Sequence, residues 1–176
     1  IDAGHGGEDG GAVSVTGEAE SQINLAIACK LEDILAFYGT VPAMLRREDI
    51  SLHDQTANTL REKKVSDLHN RVAMVNGISN SILLSIHQNS YHEEYVKGAQ
   101  VFYYEKSKDG QRLAQILQRG FDRVLGEENT RQAKANDQYY LLLHTSCPVV
   151  IVECGFLSNH EEASRLAEEG YQEQLA

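Results

Sequence analysis

Ser81-Ile82-Leu83-Leu84-Ser85-Ile86 runs without a charge straight into His87. An apolar run of this length, bounded by polar residues, reads as a strand buried on both faces of a sheet. Pro148-Val149-Val150-Ile151-Val152 repeats the pattern and ends at Glu153. Ile1-Asp2-Ala3 reads as the end of a third strand, with His5 just beyond it. Three polar side chains thus stand where strands give way to loops, and open α/β sheets gather their ligand sites at such ends.

Helical periods fill the intervals between these runs. Across residues 20–38, Ile23, Ile27, Leu31, Ile34 and Tyr38 recur at three-to-four spacing, which predicts a helix stopped by Gly39. Residues 41–45 read as a short strand and residues 46–65 as a long loop. Ser66 is the expected cap of a helix reaching about Ile78, with Leu68, Val72 and Val75 on its inner face. Residues 100–104 read as another strand, followed by a helix from Asp109 that turns Leu113, Ile116, Leu117, Phe121 and Val124 inward. Residues 131–146 carry no clear period. Ser158 or Asn159 caps a last helix whose first turn holds Glu161 and Glu162, where the helix dipole favours acids. The pairs Glu127-Glu128, Glu161-Glu162 and Glu168-Glu169 read as solvated faces. This alternation predicts an α/β fold: one domain over residues 1–176, with a mixed, mostly parallel sheet and helices on both faces. A signal or anchor segment and the start of the first strand are expected upstream of Ile1.

Composition narrows the function. The 176 residues hold 16 Lys and Arg against 26 Asp and Glu, a formal charge of −10. No basic run offers a phosphate backbone the neutralisation on which nucleic-acid affinity depends, so no nucleic-acid partner is expected. The longest apolar runs are far short of the roughly 20 residues that cross a bilayer. Cys29, Cys147 and Cys154 contain no Cys-x-x-Cys pair and read as free thiols on apolar faces.

The strand-end residues suit one chemistry. A zinc hydrolase needs three nitrogen or oxygen ligands, an open position for water and a nearby carboxylate to take the water's proton. His5, His87 and Glu20 are candidate ligands and Glu153 the candidate base. Each histidine alone reads equally as a hydrogen-bonded loop residue, and Glu20 as a helix start. Glu153 is more pointed, because it lies between apolar runs and an unpaired buried charge is expensive. Asp2 and Glu8 lie near enough in sequence to hold a ring nitrogen of a ligating histidine.

Four ordered stretches add a resemblance: Ile1-Asp2-Ala3-Gly4-His5-Gly6-Gly7, Glu20-Ser21-Gln22-Ile23-Asn24-Leu25, Ser85-Ile86-His87-Gln88-Asn89-Ser90 and Val152-Glu153-Cys154-Gly155-Phe156-Leu157-Ser158-Asn159. Together they resemble the zinc-dependent N-acetylmuramoyl-L-alanine amidases of the type-3 family, over nearly the whole chain. Ala3 stands where that family often has proline, and Ser90 where it often has alanine. Gly98-Ala99-Gln100-Val101-Phe102-Tyr103-Tyr104, Asn129-Thr130-Arg131, Ala133-Lys134 and Tyr140-Leu141-Leu142 are most similar to the sporulation and germination-specific members, which act on spore cortex.

The resemblance implies Zn2+ held by His5, Glu20 and His87, with Glu153 as the catalytic glutamate. It implies hydrolysis of the amide between the lactyl group of N-acetylmuramic acid and the L-alanine of the peptidoglycan stem peptide, in an exported enzyme of the cell wall or spore envelope. Asn89 is a candidate substrate contact, with loop capping as the competing reading. The short passage from Glu105 to Asp109 leaves no room for the inhibitory helical insertion of some family members. Regulation then falls to a partner protein, to preceding chain or to metal supply. A zinc carboxypeptidase or deacylase for another small amide is the alternative. An inactive wall-binding module is disfavoured because all four site residues are present.

Overall fold

The computed structural model describes residues 1–126 and 129–176. Its central sheet has five strands, in the order β1-β2-β5-β3-β4. These are β1 (Asp2–Ala3), β2 (Leu83–Asn89), β3 (Gln100–Tyr103), β4 (Lys134–Ala135) and β5 (Val149–Phe156). The pairs β1–β2, β2–β5 and β3–β4 are parallel, while β3–β5 is antiparallel. Among the described residues six helices form: α1 (Glu20–Phe37), α2 (Leu60–Asn76), α3 (Lys108–Leu125), α4 (Tyr140–His144), α5 (His160–Leu166) and α6 (Glu169–Leu175). The mixed, mostly parallel sheet of the expected α/β fold is therefore present.

Strand alternation sorts the core into two layers. Ile86, Val101, Val150, Val152 and Cys154 face one way and pack with Ile23, Ile27, Ala114, Phe121, Leu166 and Tyr171 from α1, α3, α5 and α6. Leu83, Phe102, Val149 and Ile151 face the other way, against Val75 of α2 and Leu141 and Leu142 of α4. Every residue of β5 is buried, as its unbroken apolar run requires.

Several boundaries differ from the sequence reading, each for a local reason. Residues 41–45 form no strand; Pro42 has no N–H for a ladder, and the segment is tied to the sheet by Leu45 N donating to Ile1 O at 3.0 Å. The expected loop over residues 46–65 ends early, because α2 begins at Leu60 rather than behind Ser66. Thr59 is the true cap: its hydroxyl accepts from Glu62 N, and Glu62 returns the bond to Thr59 N. Ser66 lies inside the helix and bonds Asp54 instead. Tyr38 is exposed at the end of α1. In α3 the inner face is Gly110, Ala114, Gln118 and Phe121, so Ile116 and Val124 are exposed. Residues 131–146 resolve into β4 and α4.

At the C-terminal end, Asn159 rather than Ser158 caps α5, its side chain accepting from Glu162 N. Glu162 is not on a solvated face. It is buried and accepts from Gly98 N at 2.9 Å and Phe156 N at 2.8 Å, stitching α5 to the sheet. The Glu127-Glu128 pair lies outside the described residues.

Candidate active site

The two central strands run further than the apolar runs alone suggest. β2 continues through His87 to Asn89 and β5 through Glu153 to Phe156, so both residues lie within strands rather than after them. Parallel pairing sets His87 directly beside Glu153. Both sit on the face covered by α2 and α4, because Ser85, His87, Ile151 and Glu153 share parity. The ladder shifts register just beyond, between His87 and Asn89.

His5 approaches from the loop after β1 in a left-handed conformation, φ 61°. That turn is held from below. Arg71 donates to His5 O at 2.8 Å and Ala3 O at 3.0 Å, while Arg46 donates to Ala3 O at 2.8 Å and Gly4 O at 3.1 Å. Gly4 is obligatory here for a different reason. A Cβ on it would stand 2.2 Å from the His87 ring.

Glu20 is the hub. It is buried in the first turn of α1 and reaches across the sheet end to both histidines. Its Oε1 lies 3.0 Å from His87 Nδ1 and 3.3 Å from His5 Nε2. Gln88 N also donates to Oε1 at 3.1 Å, and Ala12 N to Oε2 at 2.9 Å. Burial alone would raise this carboxyl, but its bonds to His5 and His87 hold it well below the usual carboxylate range. Asn24, one turn along α1, donates to Glu20 and to Gly4 O, tying the hub to the glycine loop.

His5 and His87 meet edge to face, with ring centroids 5.1 Å apart. One donor atom from each of His5, Glu20 and His87 lies within 4.8 Å of the others. Among the described residues this is the His/Glu/His group able to hold a metal ion. Asp9, not Asp2 or Glu8, holds the far side of the His5 ring, with Oδ2 3.0 Å from Nδ1. Asp2 instead pairs with Arg71 and accepts from Ser85 Oγ, and Glu8 pairs with Lys63. Burial opposes charge on His5, yet hydrogen bonds to Asp9 and Glu20 outweigh it and push the ring up to about 9.

Glu153 stands apart from this group, 5% exposed. Its Oε1 accepts from the Tyr139 hydroxyl at 3.2 Å, while its Oε2 is buried with no partner. Burial pushes this carboxyl up, with the neighbouring Glu20 charge adding to the effect and His87 and Tyr139 opposing it. The Asn89 side chain accepts from Ser90 N at 2.8 Å, a turn cap at the end of β2. His144 stacks on Tyr140 with ring centroids 4.1 Å apart, outside the His/Glu/His group.

Four groups around the site escape motif reading: Arg46, Arg71, Asp9 and Tyr139. Only Arg71 leaves a trace in the sequence, as a charge amid the inward stripe of Leu68, Val72 and Val75.

Comparison with known proteins places this arrangement. The family model for N-acetylmuramoyl-L-alanine amidase, Amidase_3, matches residues 1–176. The chain belongs to that amidase family. The family match selects the amidase reading over the carboxypeptidase or deacylase. Among curated relatives, the germination-specific N-acetylmuramoyl-L-alanine amidase of Bacillus subtilis is 35% identical over 177 residues, covering 100% of this chain and 73% of the relative. Among solved amidase structures, CwlD from Clostridioides difficile, in complex with the GerS lipoprotein, is 36% identical with TM-score 0.95, covering 99% of this chain and 89% of that one. The catalytic domain of CwlV from Bacillus (Paenibacillus) polymyxa var. colistinus is 26% identical with TM-score 0.84, at 99% and 89% coverage.

Proposed function

We propose that the chain performs the family's amide hydrolysis with a zinc ion held by His5, Glu20 and His87 and with Glu153 as general base. The bond cut joins the lactyl group of N-acetylmuramic acid to the L-alanine of the peptidoglycan stem peptide. The observation that carries this reading is the pairing of a converged His/Glu/His set with an acid on the neighbouring strand whose Oε2 has no partner. Two imidazoles and a carboxylate are a donor set of catalytic zinc sites, which keep a further position open. Zinc held there supplies a water acidic enough to lose a proton near neutral pH and a polarised scissile carbonyl.

The chain's own residues supply the rest. Glu153 Oε2 takes the proton of the attacking water and delivers one to the departing alanine nitrogen, leaving a lactyl carboxylic acid and a free amine. Burial raises the Glu153 carboxyl, which makes it a stronger proton acceptor than an exposed glutamate. Glu20 Oε1 meets one ring nitrogen of each histidine, 3.3 Å from His5 Nε2 and 3.0 Å from His87 Nδ1, and so brings the two imidazoles to one point. Asp9 fixes the His5 tautomer by accepting from Nδ1, which turns Nε2 toward Glu20. Asn89, at the end of β2, is the proposed contact for the substrate.

The germination-specific relative and the CwlD likeness support spore cortex as the substrate and the spore envelope as the place of action. The GerS lipoprotein bound to CwlD supports a regulatory protein partner here as well. Residues 1–176 would then be one catalytic domain. No helix among the described residues is long and apolar enough to cross a membrane.

Digesting purified cortex and vegetative wall side by side tests the reading, with product masses read for free stem peptide. The wild-type chain should release stem peptide, cortex being preferred, and carry one zinc per chain. His87→Ala should lose the metal. Glu153→Gln should keep the metal and lose hydrolysis; near-normal turnover in that variant would remove Glu153 from the role of base.

A further inference from the structure

Tyr139 occupies a place that its residue type does not explain locally. It is the N-cap of α4, a position that favours Ser, Thr, Asp or Asn, and its side chain makes no capping bond. The side chain points instead to β5, where the hydroxyl donates to Glu153 Oε1 at 3.2 Å.

We propose that Tyr139 is a positioning residue for the amidase reaction: its hydroxyl pins one oxygen of Glu153 and so leaves Oε2 as the atom that handles the proton. The inference rests on the reading of Glu153 as base.

Three contacts hold the phenol in place. Tyr139 N donates to Asn136 Oδ1 at 3.2 Å, its carbonyl accepts from Leu143 N at 3.3 Å, and its ring meets Phe102 at a centroid distance of 5.7 Å. Asn136 N in turn donates to Tyr103 O at 2.8 Å, so the tyrosine is tied to β3 as well as β5. The donor is durable: burial and the Glu153 charge push the phenol up, so it keeps its proton wherever the enzyme works. The consequence for Glu153 is geometric. A carboxylate turns about its last bond through a broad, roughly two-fold well, and one fixed hydrogen bond selects one face of that well. With Oε1 engaged and Oε2 unpartnered, the two oxygens are no longer equivalent. A base presented in one orientation reacts faster without binding substrate more tightly, so the effect belongs in kcat rather than KM.

Tyr139→Phe removes the hydroxyl and keeps the ring against Phe102. On soluble muramyl peptides, kcat is expected to fall about tenfold, part of the roughly 10²–10⁴ that a positioned acid–base group contributes. KM and the zinc dissociation constant, measured by titration calorimetry, should stay within about twofold. Glu153→Gln runs alongside as the reference for the base. Unchanged kcat in Tyr139→Phe, with Glu153→Gln inactive, would overturn the positioning role while leaving the base in place. A fall in kcat in Tyr139→Phe accompanied by a comparable rise in KM or in the zinc dissociation constant would overturn it in favour of packing. An active Glu153→Gln would remove the reading on which it stands.

Discussion

Glu153 shows how one residue carries a conflict between stability and chemistry. Burial raises its carboxyl, so the folded chain binds that proton more tightly than the unfolded chain does. Folded stability must therefore fall as pH rises from the ordinary glutamate value, about 4.3, towards the raised one. Glutamine has no such titration. In the zinc-free protein, Glu153→Gln should gain in Tm relative to wild type as pH climbs from 4 to 8, by roughly 2–4 °C for each kcal/mol in a domain of this size. A Tm difference that is flat across that range would show that Glu153 is not held in a costly charged state. The acid itself was legible in sequence, because a charge between two apolar runs needs a partner. The convergence of His5, Glu20 and His87 is legible only through the ordered motifs, since groups brought together from separate elements obey no local spacing. Tyr139 was not legible at all: its partner lies 14 residues away, and nothing in a Tyr-Tyr-Leu run points to β5.

At the scale of elements, hydrophobic period placed β2, β5, α1 and α3, and the misreadings have physical sources. Apolar runs alone end both central strands at their first polar residue, yet a strand continues through polar side chains whose partners come from neighbours. An apolar stripe beginning at Leu68 points to Ser66 as the start of α2, although the Thr59-x-x-Glu62 signature stands seven residues earlier. That box is now a prediction. Thr59→Ala should cost about 1 kcal/mol, the usual worth of an N-cap hydroxyl, measured by urea or thermal unfolding. Catalysis should hardly change, because the Thr59 and Glu62 side chains bond the backbone N–H groups of Asn58, Thr59 and Glu62 and none of the site residues. The face of α3 was rotated by reading Ile116 and Val124 as core. Gln118 occupies the inner face instead, accepting from Val101 N and donating to Ala99 O, an exchange that apolar counting cannot anticipate.

Across the whole molecule, α2 is coupled by Arg71 to the end of the sheet that carries the His/Glu/His group. This arginine is 2% exposed and meets Asp2 of β1, Asp67 of its own helix and the backbone of Ala3 and His5. Removing one partner of a buried pair leaves the other charge uncompensated. Arg71→Ala should therefore cost about 3–5 kcal/mol, enough to consume much of a typical domain's stability. Because the same side chain supports the His5 turn, zinc should bind more weakly in that variant, and added zinc should restore less of the Tm than it adds to wild type. A melt that shifts by less than about 1 kcal/mol would show that the network is dispensable.

The grip of the two arginines on β1 has an effect of another kind. β1 is a border strand of the sheet, and open borders invite backbone pairing with other copies of a chain. Here the carbonyls of Ile1, Ala3 and Gly4 are already taken by Leu45 N and the two guanidinium groups. At the opposite border, β4 is two residues long and presents the exposed Lys134. Among the described residues neither flank offers a ladder for self-association, and at the β1 border an enzyme crowded against its polymeric substrate is guarded from fibrillar stacking by the same two arginines that steady His5.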